Sequence, residues 1–248
     1  MLKKMFVVFI SCMCFSVVYA NDAKHKWGYE VNGPESWGKH YEDCQSGIEQ
    51  SPVNIETSTY NVDKEISLNF QDGIFSYKHN GHTLKYTLDP LNKMNFMVVD
   101  GKKYHLLQLH FHSKSEHTLD GKSFPFEIHF VHHSDDGSYG VLGILGEEAA
   151  EGEQESPILS QLLDHADSEK TFIINPRDLA PADITDVLFS YDGSFTTPPC
   201  TEGVQWVVAT ERLKVSKETI EKLKNLIGLE FNNRPVQELN ERIIDLSN

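Results

Sequence analysis

The sequence predicts a single, mainly β domain with a few short helices, in which the strands pair chiefly antiparallel. Short segments that alternate apolar and polar residues, separated by turn-forming residues, recur along most of the 248-residue chain. The long helical crossovers that parallel βαβ units require are mostly missing, which favours antiparallel pairing. No repeat, linker or shift in composition divides residues 21–248, a length that suits one sizeable domain with a large core.

The first 20 residues have the pattern of a secretory signal peptide. Lys3 and Lys4 give a basic start, residues 5–18 are almost wholly apolar, and Val18-Tyr19-Ala20 offers small residues at the cleavage positions. A transmembrane anchor is the alternative, but this apolar run is shorter than the roughly 20 residues that span a bilayer. We therefore expect an exported protein without a membrane anchor, whose mature chain begins at Asn21. A Gram-negative periplasm is the favoured location, and free secretion is the alternative.

Two cysteines remain once the leader is removed, Cys44 and Cys200. In an exported protein a single pair of cysteines is typical of one disulfide, and two buried free thiols are the alternative. The formal charge is −15 and becomes −17 without the two leader lysines. Such an acidic surface argues against nucleic acid and anionic lipid as partners. The sequence leaves a homodimer open.

The clearest strand-like alternation occurs in separate short segments. They are Ser67–Phe70, Thr83–Thr87, Lys103–Ser113, Phe126–His132, Tyr139–Leu145 and Val204–Thr210. Helical spacing of apolar residues predicts one helix over Pro157–His165 and another over Ser216–Ile227, with Ser216 as the N-cap and Gly228 as the stop. The acidic run Glu147–Glu155 is expected to be a solvated loop, with a calcium or partner site as the alternative.

Three histidines on two of these segments are the main functional signal. His110 and His112 lie two residues apart on a strand, so their side chains point the same way, roughly 7 Å apart. His129 follows 17 residues after His112, beyond a connection that could turn the chain back. If the two strands pair antiparallel with these faces matched, three imidazoles converge. Three neutral nitrogen ligands and an open fourth position are typical of a catalytic zinc site.

Each histidine segment also carries a hydrogen-bond acceptor on the same face. Gln108 precedes His110 by two residues, and Glu127 precedes His129 by two. A metal-bound histidine usually donates its other ring N–H to a carboxylate or carbonyl, which fixes its tautomer. Without such a role, a buried Glu127 would be an unpaired charge, which is energetically costly. Surface histidines on an edge strand are the alternative, and they leave Glu127 unexplained.

Several segments resemble the signature segments of the α-class carbonic anhydrases, in particular exported bacterial members. In chain order they are NGPESWGKHY, EQSPVNI, QLHFHSKSEHTLDGK, FEIHFVHH, YDGSFTTPP and NNRPVQELN. The resemblance extends from Trp27 to about Arg242 and implies the α-carbonic anhydrase fold, with zinc at the bottom of a cleft on one large, twisted, mostly antiparallel sheet. It also implies an activity, the reversible hydration of carbon dioxide to bicarbonate and a proton by zinc-bound hydroxide.

The resemblance assigns roles residue by residue. The implied zinc ligands are His110, His112 and His129. The implied groups that orient them are Gln108, Glu127 and the backbone carbonyl of Asn232. In the family pattern the hydroxyl of Thr196 accepts the proton of zinc hydroxide and donates its own proton to Glu116, which must then be ionised. Thr197 would line the same polar edge of the cleft.

The resemblance also implies a substrate pocket and a proton path. Carbon dioxide is small and apolar, and the matching apolar wall consists of Val131, Val141, Phe195 and Trp206. His82 matches the proton-shuttle position, and histidine is the side chain whose ordinary pKa suits proton transfer near neutral pH. His79 is the alternative, because only the match separates the two. The other histidines are expected to be surface or packing residues: His25, His40, His105, His117, His132, His133 and His165.

The family pattern joins Cys44 to Cys200 and has cis peptide bonds at Ser51–Pro52 and Pro198–Pro199. The chain departs from it at Ser113-Lys114, where many animal members have Trp-Gly, and at Phe195, where leucine is more usual. A bulkier Phe195 could narrow the pocket.

Two other classes of function remain open. One is a catalytically inactive relative kept as a binding module, which the retained histidines, Glu116 and Thr196 disfavour. The other is a zinc-carrying protein, for which a closed or exposed His/Cys cluster would be expected instead of an open site.

Overall fold

The computed structural model describes residues 26–58, 61–153, 155–166, 170–184 and 187–247, so the predicted leader lies outside the described residues. The strands are β1 (Asn54–Ile55), β2 (Asn61–Lys64), β3 (Ile66–Asn69), β4 (Gly73–His79), β5 (Leu84–Leu88), β6 (Phe96–Val99), β7 (Lys102–Ser113), β8 (Thr118–Leu119), β9 (Phe126–His133), β10 (Tyr139–Glu148), β11 (Thr171–Ile174), β12 (Leu188–Ser194), β13 (Glu202–Ala209), β14 (Leu213–Val215) and β15 (Asp245–Ser247). The helices are α1 (Pro34–Trp37), α2 (Glu42–Ser46), α3 (Pro157–His165) and α4 (Lys217–Ile227), with a 3₁₀ helix at Pro176–Leu179.

One large mixed sheet runs through the molecule. Its strand order is β11-β4-β5-β7-β9-β10-β13-β12-β15-β2, with β14 paired to β10 and β3 attached through β6 to β7. Most neighbours are antiparallel, whereas β10 with β13 and β14, and β15 with β2, are parallel. A separate ribbon pairs β1 with β8 in parallel. The prediction of a mainly β fold on a mostly antiparallel sheet is confirmed.

The two faces of this sheet carry separate apolar clusters. Leu109 and Phe111 of β7 pack in one cluster with Leu223 and Ile227 of α4. Because side chains alternate along a strand, His110 and His112 of β7 point to the opposite face, away from α4. That face carries the second cluster, which includes Trp206 of β13. The sheet therefore separates a helix-covered core from the face that holds His110, His112 and His129.

The predicted helices are both present, and α3 has the predicted bounds. Helix α4 begins after Ser216, whose hydroxyl accepts the backbone N–H of Thr219. It ends at Gly228, which has a φ of 73° in the left-handed region that glycine adopts freely. Among the described residues, no helix is long and apolar enough to cross a bilayer.

The predicted disulfide is confirmed: Cys44 of α2 is bonded to Cys200, with the two Cα atoms 5.1 Å apart. It joins the N-terminal segment to the loop that follows β12. The Ser51–Pro52 and Pro198–Pro199 peptide bonds are cis, as the resemblance implied.

The close approach of Gly146 on β10 to Phe126 on β9 predicts a stability effect. Gly146 lies opposite Phe126, and a Cβ at Gly146 would overlap the fully buried Phe126 ring. A Cβ at Gly140 on the same strand would instead meet the flexible end of Met97. We expect Gly146→Ala to lower the free energy of unfolding by about 1–3 kcal/mol through overpacking, and Gly140→Ala to lower it less. Urea unfolding measures both, and equal costs would contradict this packing.

Candidate active site

Strands β7 and β9 bring the three predicted histidines together. The antiparallel register places His110 opposite His129, and His112 opposite Glu127. The centroids of the three imidazole rings lie 4.5–5.1 Å apart. One ring nitrogen of each histidine lies within 4.8 Å of the other two. His112 and His129 are buried, while His110 is half-buried.

Each of these imidazoles donates one ring N–H to an acceptor. The pairs are His110 Nδ1 with Gln108 Oε1 at 3.1 Å, His112 Nδ1 with the Asn232 carbonyl at 2.7 Å, and His129 Nε2 with Glu127 Oε1 at 2.8 Å. Because an amide, carbonyl or carboxylate oxygen can only accept, these contacts place the proton on the bonded nitrogen. The nitrogens left with a free lone pair are His110 Nε2, His112 Nε2 and His129 Nδ1.

The chemistry of this donor set fits zinc. Burial lowers the pKa of His112 to about 4, and burial together with the neighbouring imidazoles lowers those of His110 and His129. All three rings are therefore neutral near pH 7, as a metal ligand must be. His112 Nε2 is buried without a hydrogen-bond partner among the described residues, an arrangement that a metal ion would satisfy. His117, Glu127 and His129 form a second, fully buried group of possible ligands.

Glu127 is a buried carboxylate whose oxygens both accept hydrogen bonds. Oε1 accepts the ring N–H groups of His117 and His129, each at 2.8 Å. Oε2 accepts the backbone N–H groups of Glu116 and His117, at 2.8 and 2.9 Å. Burial alone would raise the pKa of Glu127, but His117 and His129 outweigh it and hold the pKa well below its usual range. The carboxylate therefore stays ionised and orients His129.

A line of polar contacts continues from Glu127 to the start of the domain. His117 Nε2 lies 2.7 Å from the Tyr191 hydroxyl, which lies 2.9 Å from Ser51 Oγ. Ser51 and Ser194 exchange two hydrogen bonds between their backbone N–H groups and hydroxyls, at 2.9 and 3.0 Å. His117 was expected to be a surface or packing residue, but it is fully buried and braces the carboxylate that orients His129.

Glu116 and Thr196 are both buried beside the histidines. Glu116 Oε1 accepts the backbone N–H of Arg234 at 2.7 Å and lies 3.5 Å from His112 Nδ1, while Oε2 lies 3.9 Å from His129 Nδ1. Burial raises the pKa of Glu116 to about 7, against the opposing effects of His129, the Thr196 hydroxyl and the Arg234 N–H. The Thr196 hydroxyl faces the carboxylate, although Oε2 makes no hydrogen bond of good geometry with the described residues.

The residues of the expected apolar wall lie side by side. Val141 of β10 is the register partner of Val131 on β9 and of Trp206 on β13. These three side chains are buried in one cluster, against which Phe195 packs half-buried. Thr197 is half-buried in the following loop, and its carbonyl accepts the Cys200 N–H.

Strand register separates the two candidate shuttle histidines. His79 lies opposite Leu84, which is buried on the helix-covered face, and its Nε2 contacts the Ile227 carbonyl at the end of α4. His82 follows the turn and is half-buried, with its ring stacked on Trp27 at 4.0 Å. The carbonyl of His82 accepts the side-chain N–H of Asn232, whose own carbonyl accepts from His112. Of the two, His82 is therefore the histidine whose contacts lead to the residue that holds His112.

Sequence reasoning missed two aromatic residues that contact His82. Trp27 stacks on His82, and Tyr29 packs edge-on against both Trp27 and His82. Burial first, and then the charge of Glu116, raise the pKa of Tyr29 well above its usual value. Neither residue stands in a pattern that marks it from sequence, because the contacts join the N-terminal segment to the β4–β5 turn.

Comparisons with known proteins agree with this geometry. The family model described as eukaryotic-type carbonic anhydrase matches residues 32–248. A protein of Pectobacterium carotovorum named carbonic anhydrase is 36% identical, covering 97% of this chain and 98% of that protein. The α-carbonic anhydrase of Thermovibrio ammonificans, solved with the inhibitor sulfanilamide, is 36% identical and covers 90% of this chain and 99% of that chain, with a TM-score of 0.79. The α-carbonic anhydrase of Photobacterium profundum is also 36% identical, covers 88% of this chain and 99% of that chain, and has a TM-score of 0.78.

The hydrogen bonds of Glu127 predict how its charge affects metal binding. In Glu127→Gln one carboxylate oxygen becomes an NH₂ group, which cannot accept the N–H groups that now face it. We expect zinc affinity to fall by about 10- to 100-fold, as for other groups that orient metal ligands. Competition with a chromophoric chelator measures it. Glu221→Gln, which removes an exposed carboxylate from α4, is the matched control, and equal affinities in the two variants would contradict the proposed role of Glu127.

Proposed function

Because the chain belongs to the eukaryotic-type, or α-class, carbonic anhydrase family, we propose that it hydrates carbon dioxide reversibly to bicarbonate and a proton, with zinc as its cofactor. The observation that carries this proposal is the set of three converging imidazoles, each held through one ring nitrogen by its own acceptor, with the other nitrogen left to bind a metal. His110, His112 and His129 would hold the metal. Zinc in such a site supplies a Lewis acid that lowers the pKa of a bound water to about 7, a value known for carbonic anhydrase itself.

Thr196 and Glu116 orient the attacking group in this proposal. A dication held by the histidines would favour the ionised form of Glu116, whose pKa is otherwise about 7. An ionised carboxylate can only accept, so the Thr196 hydroxyl then donates to Glu116. The oxygen of Thr196 is then left to accept a hydrogen bond from the attacking water or hydroxide beside the histidines. Thr196 therefore acts by positioning, since its hydrogen bond directs a lone pair of the attacking oxygen toward the substrate.

The apolar wall supplies the place for carbon dioxide. Val131, Val141 and Trp206 are packed in register on the sheet face that also holds His129. A small apolar molecule gains by leaving water for such a surface, whereas bicarbonate is charged and does not. Phe195 borders this wall and stacks edge-on with Tyr139 at a centroid distance of 5.0 Å. The wall therefore favours the entry of substrate over the retention of product.

His82 would carry the released proton to solvent. It is half-buried, and its ring is held by stacking on Trp27. Burial, and to a lesser extent the charge of His79, lower the pKa of His82, which leaves it neutral and ready to accept a proton near pH 7.

The disulfide supports a location outside the cytoplasm. Cys44 and Cys200 are bonded in the structure, and such bonds persist in oxidising compartments. Together with the leader pattern of the first 20 residues, this supports export to a Gram-negative periplasm.

The direct test is stopped-flow hydration of carbon dioxide by the purified mature protein, with its zinc content assayed in parallel. We expect rapid turnover with one zinc per chain, and loss of both in His112→Ala. His165→Ala, which removes an exposed histidine from the end of α3, is the matched control and should behave as wild type. A zinc-loaded wild type without turnover would contradict the proposed activity.

Thr196 provides a second prediction that leaves the metal ligands unchanged. Thr196→Ala removes the hydroxyl that positions the attacking group, so we expect kcat/KM to fall by about 100-fold at unchanged zinc content. Thr196→Ser keeps the hydroxyl and should recover most of the rate. Stopped-flow kinetics with a zinc assay checks both variants, and a wild-type rate in Thr196→Ala would refute this role.

A further inference from the structure

A row of register partners continues the line of the histidines across the sheet. His129 on β9 lies opposite His110 on β7, His110 lies opposite Lys85 on β5, and Lys85 lies opposite Lys78 on β4. Directly opposed residues on neighbouring antiparallel strands share a face, with Cβ atoms about 4.5–5.5 Å apart. The two lysines therefore extend the face of the three imidazoles toward the edge of the sheet.

The burial of the neighbouring residues fixes which face this is. Leu84 and Tyr86, on either side of Lys85, are fully buried in the cluster that α3 and α4 cover. Lys85 therefore points to the other face, where it is half-buried, and Lys78 on the next strand is exposed.

Among the described residues these two lysines lack acidic partners, although the chain is acidic. Within the described ranges neither has an acidic side chain within 4 Å, although the formal charge of the protein is −15. Like charges directly opposite each other destabilise a sheet, and a half-buried lysine without an acidic partner is also unfavourable. A negatively charged ligand on this face of the sheet would offset both costs. Carbon dioxide carries no charge, whereas bicarbonate does.

We propose that Lys85, with Lys78 beside it on the next strand, forms an electrostatic binding site for small monovalent oxyanions, in particular bicarbonate, on the sheet face that holds the three histidines. This inference rests on the proposed function for the identity of the anion. Lys85 then sets the affinity for the charged partner of the reaction and leaves the affinity for the neutral partner unchanged. It is a specificity residue that acts through its charge at short range, because screening in physiological salt limits such fields to about 8 Å.

The test compares Lys85→Gln with Lys85→Arg and with Lys224→Gln. Lys224 is an exposed lysine of α4, so its variant removes the same charge from the opposite side of the sheet. One readout is the Kd of nitrate, a planar monovalent oxyanion, from ¹H–¹⁵N NMR titration of the zinc-loaded protein and of the metal-free protein. The other is the product-inhibition constant of bicarbonate in carbon dioxide hydration, measured beside the KM for carbon dioxide.

We expect Lys85→Gln to raise the nitrate Kd and the bicarbonate inhibition constant by about three- to tenfold, the size of one partly screened charge contact. The KM for carbon dioxide should stay constant, and Lys85→Arg should stay close to wild type. A nitrate Kd in Lys85→Gln equal to that of Lys224→Gln would overturn the proposal, as would an equal rise in the carbon dioxide KM. A wild type that binds nitrate through Lys85 but does not hydrate carbon dioxide would overturn the proposed function and leave the anion site standing.

Discussion

The carboxylate of Glu127 is the constraint on which the rest of the site depends. A charge buried this deeply is tolerated only when every part of it is paired, and its two oxygens accept four hydrogen bonds from three residues. Those bonds fix the ring of His129 and also the backbone at Glu116 and His117. Gly143, the register partner of His129, leaves the room this requires, since a Cβ there would lie 2.9 Å from Glu127 Oε1. One carboxylate therefore sets the positions of a proposed metal ligand and of the carboxylate that Thr196 faces.

The support of this centre extends well beyond the residues that would touch metal or substrate. From Glu127 the contacts run through His117 and Tyr191 to Ser51, which binds the end of β12 through Ser194. The loop after β12 carries Thr196 and Thr197 and is tied at its far end by the disulfide of Cys200. Arg234 supports the same region through three hydrogen bonds. Its backbone N–H donates to Glu116, and its guanidinium donates to the Gln50 side chain and to the Ser51 carbonyl. We therefore expect loss of the disulfide to lower stability before it affects the chemistry.

The parts that could be predicted from sequence were those set by short-range rules. Alternation along a strand was enough to put His110 and His112 on one face, and the cost of a buried charge was enough to single out Glu127 as an acceptor. Strand β12 was not predicted, because the dipeptide Asp192-Gly193 is typical of a turn. In the structure the strand continues through this dipeptide, with an irregularity between Gly193 and Ser194. The sequence did not predict the roles of Trp27, Tyr29 and His117, because these roles come from contacts between segments that are distant in the chain. The contacts that distinguish His82 from His79 depend on the register of β4 on β5, which sequence alone does not fix.

The central claim is that three imidazole lone pairs, selected by the acceptors behind them, hold one zinc ion in an open site. Anomalous diffraction from crystals of the zinc-loaded protein at the zinc edge tests it most directly. The account predicts a single peak about 2.0–2.1 Å from His110 Nε2, His112 Nε2 and His129 Nδ1, with the fourth position free of protein. A peak held instead by His117, Glu127 and His129, the other group of possible ligands, would contradict it.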